Sequence, residues 1–226
     1  MDADSLAVER NVTYKDKLTE MAARHQAVIS EAVIPDKRRE VGDKVMSLFD
    51  DLSNIYKGVY LIRDLSQKTS DAIVSYGERF SSWIMSGAIE GARLVDSRKI
   101  IKTHLYYSRH VVDFAATDRL ISAEFSSHKG IAILPGFIAS DIETGYTTTL
   151  GRGGSDYTAA ILASALNASA LEIWTDVDGF MTADPRMVSS SYVIDKLSYI
   201  EAIELCNFGA KVIYPPTIYP AYHQNI

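Results

Sequence analysis

Over residues 36–52 the apolar side chains Val41, Val45, Leu48, Phe49 and Leu52 recur every three or four residues, with charges between them. That spacing puts them on one face of a helix. Pro35 ahead of Asp36 is a helix-start signal, with Asp36 as N-cap and Lys37 and Arg38 facing outward. Residues 5–54 read as helical material throughout. A further helix is predicted over 70–90, burying Ile73, Val74, Phe80, Trp83 and Ile84. From about Ala92 the rhythm changes. Short β-rich runs at 93–95, 130–137 and 170–175 alternate with helical ones at 117–126, 155–166 and 199–208. Such alternation predicts βαβ units and an α/β fold, with a largely parallel sheet covered by helices on both faces.

Composition narrows the class without naming an activity. The 226 residues suffice for one large α/β domain or two small ones, and 47% hydrophobic with 23% charged residues is ordinary for a globular chain. The net charge of -6, with no basic run to offset it, argues against a nucleic-acid binder. No apolar run reaches the roughly 18–20 residues of a membrane helix. The acidic N-terminus has no apolar signal segment, so a cytoplasmic protein is expected. The single cysteine, Cys206, excludes an internal disulfide and sits at an apolar helical position. The five histidines show no zinc spacing, and neither a Walker-type lysine loop nor a Gly-x-Ser-x-Gly elbow occurs.

Four motifs carry candidate chemistry. In the stretch from Thr147 to Tyr157, Gly151, Gly153 and Gly154 let the backbone turn sharply and approach an anion. Ser155 or Asp156 is available to cap the helix that follows, whose start favours phosphate or carboxylate. Arg152 adds a rigid cationic fork. Asp156 would repel phosphate unless it meets a cation, which points to a catalytic part rather than a simple cradle. The second motif runs from Trp174 to Arg186 behind the apolar run Leu171-Glu172-Ile173, so its polar residues emerge at a strand's C-terminal edge, where α/β sheets bind ligands. An EF-hand calcium loop is excluded by spacing. The third, from Phe208 to Pro215, has Gly209 ending a helix and Lys211 opening a β-like run; Lys211 is either a phosphate contact or a surface lysine. The fourth, from Ser75 to Ser82 at a helix start, sets Glu78 beside Arg79, and only one of the two can face a pocket.

Taken together and in this order, the motifs resemble the aspartokinase branch of the amino-acid kinase superfamily, over about residues 74–220. The stretch from Leu150 to Thr158 is the most specific match, and the residues around Pro215-Pro216-Thr217-Ile218 look closest to the kinase part of bifunctional aspartokinase/homoserine dehydrogenases. The resemblance implies a three-layer α/β/α sandwich: residues 1–69 as the helical region of a substrate lobe, 70–226 as the substrate- and nucleotide-binding core. It implies phosphorylation of the L-aspartate side chain by ATP with Mg²⁺, the first step towards lysine, threonine and methionine, in a protein that is homo-oligomeric at full length. By position, Glu78 would bind the aspartate ammonium. Arg152, with Gly153, Gly154 and Ser155, would hold a substrate carboxylate. Asp156 would orient phosphate-binding lysines, Thr175, Asp176, Met181 and Arg186 would hold the nucleotide, and Lys211 would lie near its phosphates. Met181 and Tyr214 stand where the family commonly has tyrosine and histidine. The family's opening Lys-Phe-Gly-Gly-Thr-Ser loop and its ACT domains have no counterpart here, so the chain reads as a fragment expected to be inactive alone. The alternatives are another amino-acid kinase, of the glutamate type, or a non-catalytic nucleotide- or aspartate-binding module.

Overall fold

The structure, a computed structural model, describes residues 3–9, 11–210 and 212–226. Its first layer is helical: α1 (Ala3–Val8), α2 (Tyr14–Ala32), α3 (Arg38–Ile62) and α4 (Gln67–Ala88). All five apolar positions read from the α3 pattern are buried, and the stripe continues through Tyr56 and Val59. Fully burying such side chains contributes about 1.5–3 kcal/mol each. Phe49 of α3 stacks on Phe80 of α4 at 4.2 Å. Gly87 lets these helices close up, since a Cβ there would lie 2.6 Å from Val41 Cγ2. Asp36 does not cap α3. Pro35 fixes its own φ and opens a 3₁₀ turn, Pro35–Lys37, that takes Asp36 inside it. Helix α4 starts earlier than expected because Ser66 Oγ accepts from Thr69 N. Glu78 therefore lies mid-helix, not at a helix start. Val74, expected inside, is exposed, because it lies one residue and so about 100° from buried Ile73.

The rest of the core is α/β. Strand β1 (Arg93–Leu94) runs into α5 (Ser97–Ile100), then β2 (Lys102–Tyr106), β3 (Arg109–Val112) and α6 (Phe114–Phe125). After these come β4 (Ala132–Ile133), β5 (Ile138–Asp141), β6 (Thr147–Thr149) and α7 (Gly154–Ala165). Strands β1 and β4 pair in parallel, and a second sheet has the order β3-β2-β5-β6. Ile101, Ile121, Ala139 and Ile161 form the centre of a second apolar cluster, separate from that of the helical layer. The α/β class is as expected, but the sheet is more mixed than the alternation predicts. β2–β5 is parallel, whereas β2–β3 and β5–β6 are antiparallel. Short returns decide this: Tyr107 and Ser108 both have φ > 0, as a two-residue hairpin requires, and a parallel crossover needs far more chain.

Beyond α7 the expectation of a strand at 170–175 fails. Residues 171–175 carry no ladder, and Leu171 and Ile173 stay half-exposed. A β-rich run becomes a strand only where a neighbour takes its backbone groups, and no described strand lies alongside. Residues 212–214 form no strand either. Helix α8 (Tyr199–Asn207) is set by local chemistry: a capping box between Ser198 and Glu201 starts it. At its other end Gly209 N donates to Cys206 O and Ala210 N to Leu205 O, a glycine-terminated helix end as read from sequence. The short helix α9 (Tyr219–Gln224) follows and packs on α7. No helix among the described residues is long and apolar enough to cross a membrane.

Candidate active site

Strand β6 delivers the glycine loop to the start of α7. Gly151 and Gly153 both take the left-handed conformation, with φ of 71° and 68°. Gly153 itself is the N-cap of α7, with no side-chain capping bond. Neither Ser155 nor Asp156 caps the helix; both lie in its first turn. Gly154 N donates to Gly151 O at 3.0 Å, whereas the N–H groups of Ser155 and Asp156 have no intrahelical acceptor, and a helix start of this kind favours an anion. The loop is held by close approach. A Cβ on Gly153 would stand 2.9 Å from Tyr214 Cβ and 3.0 Å from Thr217 Cγ2. A Cβ on Gly154 would stand 2.7 Å from Phe137 Cδ2.

Phe137 was not singled out by sequence, where it ended a predicted strand. Its φ is 68°, unusual for a bulky residue, and its backbone is tied on both sides. Its N–H donates to Thr158 Oγ1 at 3.0 Å and its carbonyl accepts from Leu150 N at 2.8 Å. Pro135-Gly136, a turn dipeptide directly ahead, was the available signal. Gly136 is needed there, because a Cβ would come within 2.9 Å of Ser155 Cα.

Two cavities border this loop and the first turn of α7, and a third adjoins them. Arg152, Gly153 and Asp156 line one of about 690 Å³, together with Gly209, Ala210 and Tyr214. Asp156 also borders a second, of about 590 Å³, shared with Asp178, Gly179 and Phe180. A third, of about 660 Å³, joins Met181 and Arg186 to Gly209, Ala210 and Val212. Lys211 lies outside the described residues; its neighbours Ala210 and Val212 line both the first cavity and the third. Thr175 and Asp176 are exposed, bonded to each other at 3.2 Å, and line none of the three.

Charges in the site are left open in a telling way. Among the described residues no cation pairs with Asp156 or Glu78. Burial pushes the carboxyl of each above the usual range, since a low-dielectric surrounding disfavours the anion. Such groups are improved by an incoming cation. Arg79 is already engaged, its guanidinium 4.2 Å above the Tyr76 ring, so Glu78 is the free member of that pair. Glu78 is on α4, outside the cavities that hold Arg152. Arg152 is exposed, has no carboxylate partner among the described residues, and lies 5.6 Å from the Tyr214 ring. Arg186 differs: its Nε and Nη2 reach both oxygens of Asp184 at 3.0 and 2.7 Å, so an anion there must share the fork. No group of three or more His, Cys, Asp or Glu residues among the described ones forms a metal cage.

The amino acid kinase family model matches residues 8–226. The lysine-sensitive aspartokinase 3 of Escherichia coli (strain K12) is 42% identical over 167 residues, which cover 71% of this chain and 37% of that protein. The bifunctional aspartokinase/homoserine dehydrogenase of Buchnera aphidicola is 34% identical over 187 residues, 80% of this chain and 23% of its own length. The solved E. coli aspartokinase III in complex with aspartate and ADP superposes with a TM-score of 0.82 at 35% identity. Its complex with lysine and aspartate gives 0.84 at 33%. Both structural matches cover 98% of this chain and 51% of the solved one. The chain thus spans about half or less of the length of these relatives.

Proposed function

The chain belongs to the amino acid kinase family, and from that premise we propose that the protein transfers the γ-phosphoryl group of ATP to the side-chain carboxylate of L-aspartate. A carboxylate oxygen attacks the γ-phosphorus, the bond to the ADP oxygen breaks, and 4-phospho-L-aspartate and ADP leave. One observation carries the reading. Asp156, half-buried and unpaired among the described residues, borders both the cavity of Arg152 and the cavity of Asp178–Phe180, so substrate and nucleotide segments meet at one residue. The relatives named for aspartokinase activity, and the solved one bound to aspartate and ADP, support the same choice.

Residue roles follow the chemistry. Glu78 meets the substrate ammonium, which removes the desolvation cost of its carboxyl. Arg152 takes a substrate carboxylate in a two-pronged hydrogen bond, assisted by the backbone of Gly153, Gly154 and Ser155. Asp156 orients the lysines that face the transferred group, Lys211 among them. Thr175, Asp176, Met181 and Arg186 hold the nucleotide. Two anions must come together in this reaction, so the work is positioning and charge neutralisation. Magnesium bound with ATP supplies part of that neutralisation. The 226 residues form the catalytic domain's substrate region, 1–69, and its core, 70–226. The same proposal includes the first step of lysine, threonine and methionine synthesis, and a cytoplasmic, homo-oligomeric full-length protein. No Lys-Phe-Gly-Gly-Thr-Ser loop occurs in these residues, so binding rather than turnover is expected of this chain alone.

The test is calorimetric titration of ATP and of aspartate, glutamate and uridylate into the chain, beside assays of acceptor-dependent ADP release by the full-length protein. Aspartate is expected as the preferred acceptor. A preference for glutamate or a nucleotide, or aspartate binding without any ADP release by the full-length protein, would overturn the assignment.

A further inference from the structure

Each of the three threonines leading into the Arg152 loop is tied by its side chain to a different element. Thr147 Oγ1 accepts from Arg98 Nη1 at 3.3 Å. Thr148 and Thr103 hydroxyls share a 2.9 Å bond inside the sheet. Thr149 Oγ1 donates to Asp71 Oδ1 at 3.3 Å, crossing from β6 to α4. That same oxygen of Asp71 accepts from Gln67 Nε2 at 2.8 Å, and the residue is 7% exposed. Among the described residues no cation pairs with it. A carboxyl so buried is retained at a desolvation cost, and its hydrogen bonds are where that cost is offset.

The position of this contact gives it meaning. Asp71 precedes Glu78 by seven residues, two helical turns and about 10 Å along α4 on the same face. Thr149 precedes Arg152 by three residues. Helix α4 belongs to the helical apolar cluster, through Ile73, Tyr76, Phe80 and Ile84, whereas the sheet and α7 build the other. The Asp71–Thr149 bond therefore joins the two layers that carry the two ends of the proposed substrate site. We propose that Asp71 is a positioning residue: through Thr149 it sets the span between Glu78 and Arg152, and so the length of amino acid whose ammonium and carboxylate both fit. The proposal rests on the reading of those two residues given under Proposed function. Thr147 and Thr148 keep β6 in place when Asp71 is changed, so the span should loosen without loss of the sheet.

The experiment compares wild type, Asp71→Ala, Asp71→Asn and Thr149→Val as full chains, by calorimetry with aspartate and with ATP and by thermal unfolding. Asp71→Ala and Thr149→Val should each weaken aspartate binding about tenfold, the worth of one hydrogen bond to a charged or buried partner. ATP affinity should stay within about twofold, and Asp71→Asn, which keeps an oxygen acceptor, should bind aspartate within about threefold of wild type. Equal weakening of aspartate and ATP, failure of the asparagine rescue, or unchanged aspartate affinity in Thr149→Val would overturn the positioning role. Should Asp71→Ala not fold, Thr149→Val decides, since it removes the same bond from the other side. If wild type binds no aspartate, the function proposed above falls, and this role with it; if wild type binds and the variants do not differ, this role alone falls.

Discussion

Gly151 and Gly153 have nearly the same backbone, φ of 71° and 68°, yet opposite surroundings. A Cβ on Gly151 meets nothing within 4 Å, whereas one on Gly153 meets Tyr214 Cβ at 2.9 Å and Thr217 Cγ2 at 3.0 Å. Replacing either with alanine imposes left-handed strain of about 1–2 kcal/mol. At Gly153 the overlap adds about 1–3 kcal/mol, because neither obstructing atom is the loose end of a long side chain. Gly151→Ala should therefore destabilise by about 1–2 kcal/mol and Gly153→Ala by about 2–5 kcal/mol. At about 2–4 °C per kcal/mol for a chain of this size, the pair should melt measurably apart, Gly153→Ala lower. The assay is urea unfolding of both variants and wild type, monitored by circular dichroism, with melts as a second readout. A Tyr214→Gly background should narrow the gap, since it removes the Cβ that forms the nearer contact at Gly153 alone. Equal losses in the two variants would refute the reasoning: the glycine loop would then not rest on residues 214–217 in solution.

Other outcomes are equally open to measurement. Asp156→Ala in the full-length protein should lower turnover by orders of magnitude with little change in ATP affinity; near-normal turnover in a steady-state assay would reduce Asp156 to a residue of the first helical turn. Burial raises the Glu78 and Asp156 carboxyls above their unfolded values. Their contribution to stability is therefore full below the unfolded pKa and is lost as pH rises through the folded one. Glu78→Gln and Asp156→Asn should flatten that decline from about pH 4 upward in urea titrations across pH, and an unchanged slope would count against the burial. Asp184→Asn should tighten ATP up to about fivefold at low salt by freeing the Arg186 fork, an effect calorimetry would resolve and added salt should erase. Ser198→Ala should cost about 1 kcal/mol through the lost cap of α8, seen as an earlier unfolding midpoint.

Local periodicity determined much of this protein. The α3 stripe, the helices α6, α7 and α8, and the glycine end of α8 follow from side-chain spacing and capping chemistry, which act within one or two turns. The glycines of the Arg152 loop were equally visible, because a backbone that must turn left-handed favours glycine. What lies between distant residues was not visible. Leu171-Glu172-Ile173 has the composition of a strand, but a ladder needs a neighbour, and the tertiary structure provides none among the described residues. The directions of β3 and β6 were set by short returns, which outweighed the alternation that predicted parallel strands. Whether Glu78 or Arg79 stayed free was decided by the Tyr76 ring beneath Arg79, one turn away and unremarkable in sequence. Phe137 gave only the Pro135-Gly136 turn ahead of it, and Asp71 gave no motif. One is held left-handed by Thr158 and Leu150, the other bridges from α4 to Thr149, and such contacts arise only once two layers have packed.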